Sequence, residues 1–266
     1  MLKTMLTVLF IGVLLCGIAV AQDVDEIIAK NIEARGGMEK LKSVKTMVSY
    51  GKGFMGGMEV PVVLYAKRPG KMRMEMSIQG QTIINAIDGE TGWYIMPLQG
   101  NPDPQKLGPD EIKEFQRQAD IDGPLVDYKE KGHTVELIGK EDMEGSPVYK
   151  LKLIRDDGEE SYLFLDAEYY LGLKTTTKVT REDTDTEFEI DQLNSDFKEV
   201  DGMMIPHAVE VQSQGQTMQQ FTIDSIQVNV DIPDSLFAMP PVPEKPKTEG
   251  ELDSKDAKEA EDQEEK

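Results

Sequence analysis

A mainly β chain is predicted, built on one large antiparallel sheet with two short helical elements. The stretch from Met58 to Pro97 reads as consecutive strands joined by turns too short to hold a crossover helix. Within it, Lys71 to Ile78 alternates without a break: Met72, Met74, Met76 and Ile78 fall on one side, Lys71, Arg73, Glu75 and Ser77 on the other. A second series of short alternating segments, separated by turn residues, fills His133 to Val230.

The elements follow in order. Lys3, an apolar run from Met5 to Ile18 and the Ala19-Val20-Ala21 site before Gln22 make residues 1–21 a secretory signal peptide, cleaved after Ala21. The run is shorter than the ~20 apolar residues a spanning helix needs. Cys16, the only cysteine, leaves with it, so no disulfide or thiol chemistry is expected in the mature chain. One domain then runs from residue 22 to 240. Asp23 is an N-cap with Glu26 three residues on, and Val24, Ile27, Ile28 and Ile32 share a helical face. Gly36-Gly37 ends this helix, and Met38 to Val44 adds a short turn of helix.

Strands are expected at Thr46–Phe54, Met58–Lys67, Lys71–Ile78, Thr82–Asp88 and Trp93–Met96, a meander. Gln99 to Pro109, rich in Pro, Gly, Asn and Asp, reads as loop. A short helix starts at Pro109, with Ile112, Phe115 and Ala119 on one face, and Asp120 to Asp127 is loop again. The second β run comprises His133–Ile138, Pro147–Arg155, Glu160–Asp166, Leu171–Thr180, Asp183–Leu193, Ile205–Gln212 and Gln216–Val230. A sheet of about ten strands or more curls, closes or splits. From residue 241 to 266 the chain is acidic with almost nothing to bury, the composition of a disordered tail.

Composition and motifs exclude several function classes. A formal net charge of −21 makes nucleic acid an unfavourable partner. There is no nucleophile elbow, P-loop, H-E-x-x-H or C-x-x-C, so an enzyme is not expected. His133 and His207 are the only histidines, and each reads as structural. The Arg181–Glu187 run lacks the glycine and terminal glutamate of a calcium loop and reads as a hairpin turn, so neither metal nor cofactor is expected.

What remains is apolar. Met72, Met74 and Met76 stack at period two, Trp93 is the only tryptophan, Phe188 and Ile190 add a strand face, and Ile112 and Phe115 lie on the short helix. By pattern alone such a stripe is core more often than cavity. Aromatic residues make up only 6% of the chain, so large core fillers are scarce under a wide sheet. The Phe54-Met55-Gly56-Gly57-Met58 turn is a further apolar oddity, expected to fold its methionines back onto the sheet.

Three stretches carry a resemblance: DEIIAKNIEARGGMEKLKSV at Asp25–Val44, KRPGKMRMEMSIQGQTIINAIDGETGWYIMP at Lys67–Pro97, and FKEVDGMMIPHAVEV through IDSIQVNVDIPDSLFAMP near the end. In order and spacing, across nearly the whole mature domain, the chain resembles the outer-membrane lipoprotein-sorting (LolA/LolB-like) superfamily of bacterial exported proteins. The resemblance implies a half-open β-barrel with helices plugging and lidding it. It implies a periplasmic carrier whose cavity, bordered by Met72, Met74, Met76, Trp93, Phe188 and Ile190 under a lid bearing Ile112 and Phe115, receives lipoprotein acyl chains or another lipophile. Membrane-associated donor and acceptor proteins and a monomeric carrier go with it. A sensor or interaction module recognising lipid or protein, and a lipid-acting hydrolase, stand as the alternatives.

Overall fold

A computed structural model describes residues 23–55, 57–181 and 186–242. The signal peptide expected at 1–21, nearly all of the acidic tail expected from 241 and the centre of the Arg181–Glu187 run lie outside the described residues.

Three α-helices and thirteen strands are present among those residues. The helices are α1 (Val24–Ala34), α2 (Met38–Ser43) and α3 (Pro109–Gln118). The first meander holds β1 (Thr46–Met55), β2 (Met58–Lys67), β3 (Lys71–Ile78), β4 (Gln81–Ile87), β5 (Gly92–Met96) and β6 (Asn101–Lys106). The second holds β7 (Thr134–Met143), β8 (Ser146–Ile154), β9 (Glu160–Asp166), β10 (Gly172–Arg181), β11 (Thr186–Val200), β12 (Met203–Ser213) and β13 (Gln216–Val228). All pair antiparallel in a single sheet of order β6-β5-β4-β3-β2-β1-β13-β12-β11-β10-β9-β8-β7. Its edges, β6 and β7, do not pair with each other, so the sheet is a half-open barrel.

β6 corrects the expected loop at Gln99–Pro109. Its two prolines, Pro102 and Pro104, cannot donate to a ladder, which reads locally as loop; an edge strand with a partner on one side only tolerates them. The Met58 side chain is also not folded back: it is 49% exposed, and Phe54 is 42% exposed.

The path from β6 to β7 must travel from one sheet edge to the other. It does so over one face, carrying α3 and the 119–133 loop with it. Register identifies that face. Met72, Met74 and Met76 pair with Ala66, Leu64 and Val62 of β2, which in turn pair with Met47, Ser49 and Gly51 of β1 and then Val228, Ile226 and Ile223 of β13. We call it the inner face.

α1 plugs the inner face at one end. Asp23 caps its N-terminus, accepting from the Asp25 N–H at 3.2 Å, and the Gly37 N–H closes its C-terminus on the Ile32 carbonyl at 2.9 Å. Its apolar stripe, Ile27, Ile28 and Ile32, packs with Leu125 and Val126 of the crossover loop against Val135, Leu151, Leu153, Leu163 and Leu165. Each such side chain contributes about 1.5–3 kcal/mol on burial. α3 covers the other end, with Ile112, Phe115 and Ala119 against Met72, Ile87 and Leu64. Gly92 permits the approach: a Cβ there would stand 2.7 Å from Leu107 Cδ1 and 3.3 Å from Ile112 Cγ1.

Candidate functional site

Strand pairing places the eight residues singled out in the sequence. Met72 and Met76 are closed off, at 2% and 8% exposure. Met72 lies under α3, and Met76 packs with Val60, Val62, Ile78 and Ile83. Met74, between them on β3, is half-buried and touches the Met76 cluster. Ile112 and Phe115 lie against the Met72 end of the stripe, so α3 packs over that end. Phe188 and Ile190 are on the inner face too, but on β11 in the other meander, half-buried and facing Val179 and Thr177 of β10 across the ladder.

Trp93 is a correction. It pairs with Ala86, which pairs with Arg73, the residue between Met72 and Met74. Trp93 therefore points away from the methionines, to the outer face. There it is 1% exposed, donates Nε1–H to the Phe237 carbonyl at 2.8 Å and carries the Arg73 guanidinium 5.4 Å from its ring centroid. The C-terminal segment covers this side: Val48, Ile232 and Phe237 form a small cluster, with Lys67 donating to the Ile232 carbonyl and Arg73 to that of Leu236.

Outside the α1 and α3 clusters, the inner face keeps a band of half-buried apolar side chains. Phe221, Val209 and Val211, Ile223 and Met74 belong to it, and Phe188 and Ile190 extend it. The Phe221 ring lies over Gly53, whose missing side chain leaves the space. At the α1 end a cavity of about 340 Å³ opens between the helix, the Gly123-Pro124-Leu125 turn and strands β9 to β12. Leu163, Leu165, Phe197 and Val209 supply apolar wall, and Asn31, Arg35, Gln192 and Asn194 supply polar groups. None of the eight residues singled out in the sequence lines it. No sequence signal marks this cavity, because its lining comes from six separate segments; only the amphipathic face of α1 hints that something packs beside it.

The cavity wall is pinned by a charged staple. Arg68, in the turn between β2 and β3, donates both terminal nitrogens to Asp122, 2.5 Å each. The same guanidinium donates to the Val44 and Leu41 carbonyls at 2.6 and 3.2 Å. Burial opposes ionisation of Asp122, but the Arg68 hydrogen bonds and charge, helped by Lys131 and Arg35, hold its carboxyl below the ordinary range. Next along, Lys131 donates to Asp120 at 2.6 Å and to the Gly123 carbonyl at 2.8 Å. At the lid end, Arg117 of α3 reaches the β8–β9 turn, meeting Asp157 at 3.2 Å and Glu159 at 2.7 Å.

The histidines stand apart from this site. His207 is 4% exposed with Nδ1 at 3.0 Å from the Ile205 carbonyl. His133 has its Nδ1 buried 3.9 Å from Asp156, and burial, with Arg155 adding, pushes its pKa below the ordinary histidine value. Neither lines the cavity. Among the described residues, no three His, Cys, Asp or Glu side chains converge as metal ligands.

No protein-family model matches the chain, and no curated protein matches it in sequence. Solved structures share its fold. A LolA superfamily protein from Nitrosomonas europaea superposes with a TM-score of 0.54 at 12% identity, over 82% of this chain and 98% of that one. A domain provisionally described as an outer membrane lipoprotein-sorting protein, from Vibrio parahaemolyticus, gives 0.53 at 14% identity, over 79% and 94%. A DUF1329 family protein from Desulfovibrio piger gives 0.51 at 13%, over 81% and 97%. The half-open barrel with its inner helices is thus the LolA-type fold.

Proposed function

We propose that this LolA-type half-barrel is an exported, non-enzymatic carrier that holds an acyl chain or another lipophile on its inner face and conveys it across the periplasm. One observation carries the reading: Met74, Phe221, Ile223 and Val209 form an apolar band on the inner face that is left half-buried, outside both helix-packed clusters. A sheet face in a finished core would be closed along its length, as it is at Met72 and Leu151. Burial of ligand against the band drives binding, at about 25 cal/mol per Å² of apolar surface removed from water before ordering costs. α3 bounds the band on one side, so its movement would set access. Membrane-associated donor and acceptor proteins, and action as a monomer, belong to the same proposal; so does a role in lipoprotein sorting, the activity for which one of the similar structures is named.

The test is uptake of a fluorescent fatty acid by the wild type and by Met74→Glu. A carboxylate in the band should abolish uptake while the far-UV circular dichroism stays that of the wild type. Undiminished uptake would sink the assignment of this face. Lipid extraction from the purified protein adds an independent check, since a carrier copurifies with acyl-containing species.

A further inference from the structure

The cavity under α1 has a chemical bias that an apolar band does not require. The chain holds 50 acidic against 29 basic residues, yet among the described residues no carboxylate lines the cavity, whereas Arg35 and Lys174 do. The Lys174 ammonium has partners of its own: it stands 4.5 Å from the Phe164 ring centroid and 3.6 Å from Asp191. Arg35 has none. Among the described residues its guanidinium makes no hydrogen bond and no ion pair; it feels Asp122 and Asp120 only through space. Both carboxylates are committed elsewhere, Asp122 to Arg68 through both oxygens and Asp120 to Lys131. Those two pairs are neutral, so Arg35 is the surplus charge at the cavity.

Arg35 sits at the C-cap of α1, over Gly123, where it faces the cavity from the helix end. Burial pushes its pKa down, with Asp122 and Asp120 drawing it back up. Arginine nonetheless stays charged in proteins. A half-buried guanidinium with no protein partner among the described residues keeps its donors open to a bound anion. Its planar fork matches a carboxylate or phosphate in bidentate fashion. The walls beside it, Leu163, Leu165 and Phe197, are apolar, and a cavity near 340 Å³ lies within the roughly 300–1,000 Å³ of small-molecule sites.

We propose that Arg35 recognises the anionic headgroup, carboxylate or phosphate, of an amphiphile whose chain lies against Leu163, Leu165 and Phe197. This rests on the carrier reading and narrows its ligand to anionic amphiphiles.

The experiment compares decanoate, decyl phosphate, decanol and inorganic phosphate by titration calorimetry on the wild type, Arg35→Gln and Arg35→Lys. Wild type should bind decanoate and decyl phosphate about tenfold or more tighter than decanol, the worth of one charge-assisted contact. Arg35→Gln should remove that preference and leave decanol affinity unchanged; Arg35→Lys should keep part of it. Inorganic phosphate should bind far more weakly than decyl phosphate. The proposal is overturned if wild type binds decanol as tightly as decanoate, or if Arg35→Gln keeps the preference. Equal affinity for inorganic and decyl phosphate would also overturn it, marking a plain anion site. Equal binding of all three decyl compounds removes the headgroup inference alone; binding of none removes the carrier reading with it. The headgroup comparison on the wild type stands even if a variant misfolds.

Discussion

Replacing Asp122 with alanine should destabilise the protein by about 2–3 kcal/mol, a figure that follows from the staple's geometry. Removing one partner of a buried ion pair costs about 3–5 kcal/mol because the other charge is left uncompensated. The cost here falls to the lower end of that range or just below it: the Arg68 side chain keeps 28% of its surface and the Asp122 side chain 10%, and Arg68 retains the Val44 and Leu41 carbonyls after the carboxylate is gone. For a domain of this size each kcal/mol moves Tm by about 2–4 °C, so a fall of roughly 4–12 °C is expected. Lys40→Ala supplies the comparison, since its pair with Asp201 is exposed and worth under about 1 kcal/mol. Urea unfolding of the wild type, Asp122→Ala, Arg68→Met and the double variant gives the coupling directly. pH adds a second readout. The folded Asp122 carboxyl is held below its unfolded value, so its contribution is fully present above the unfolded pKa of about 3.9 and is lost as pH falls through the folded value. The gap between wild type and Asp122→Ala should therefore be constant at neutral pH and narrow only in acid below that point. A loss no larger than that of Lys40→Ala, or a gap that widens on acidification, would refute the reasoning.

Other consequences are as direct. Trp93, the only tryptophan, is sealed on the outer face, so its emission should be blue-shifted, resist acrylamide and stay unchanged when a lipophile binds; quenching by an inner-face ligand would contradict the placement. Gly51→Ala should destabilise by about 3 kcal/mol or more, because the added Cβ would stand 2.1 Å from the Thr222 backbone oxygen in the β1–β13 ladder that joins the two meanders. Chemical denaturation measures it, and a loss below about 1 kcal/mol would show that the junction relaxes at little cost.

Much of the fold was legible because its signals are local. The β3 alternation needs only neighbouring residues, and the bounds of β2, β3 and β9 match those read from the chain. The α1 cap and stripe, and the start of α3 at Pro109, are likewise written in a few consecutive positions. β6 was not legible, because Pro102 and Pro104 deny a strand by every local rule and only an edge position admits them.

The candidate site divides along the same line. Period two determined from sequence alone that Met72, Met74 and Met76 share a face, and the helical repeat that Ile112 and Phe115 share another on a short helix. Which side Trp93 takes depends on how β3, β4 and β5 pair across two turns, and a shift of one residue reverses it. That Met72 closes depends on where α3 lands, which follows from the crossing between β6 and β7, the two edges of the sheet; Met76 closes instead against Val60, Val62, Ile78 and Ile83. Arg35 reads in sequence as an ordinary charge at a helix end. Its isolation emerges only when Asp122 and Asp120, nearly ninety residues away in the chain, take Arg68 and Lys131 as partners and leave it facing the cavity. Local periodicity decides the elements and the parity within each; register, crossover path and the competition among charges are long-range, and only the assembled structure decides them.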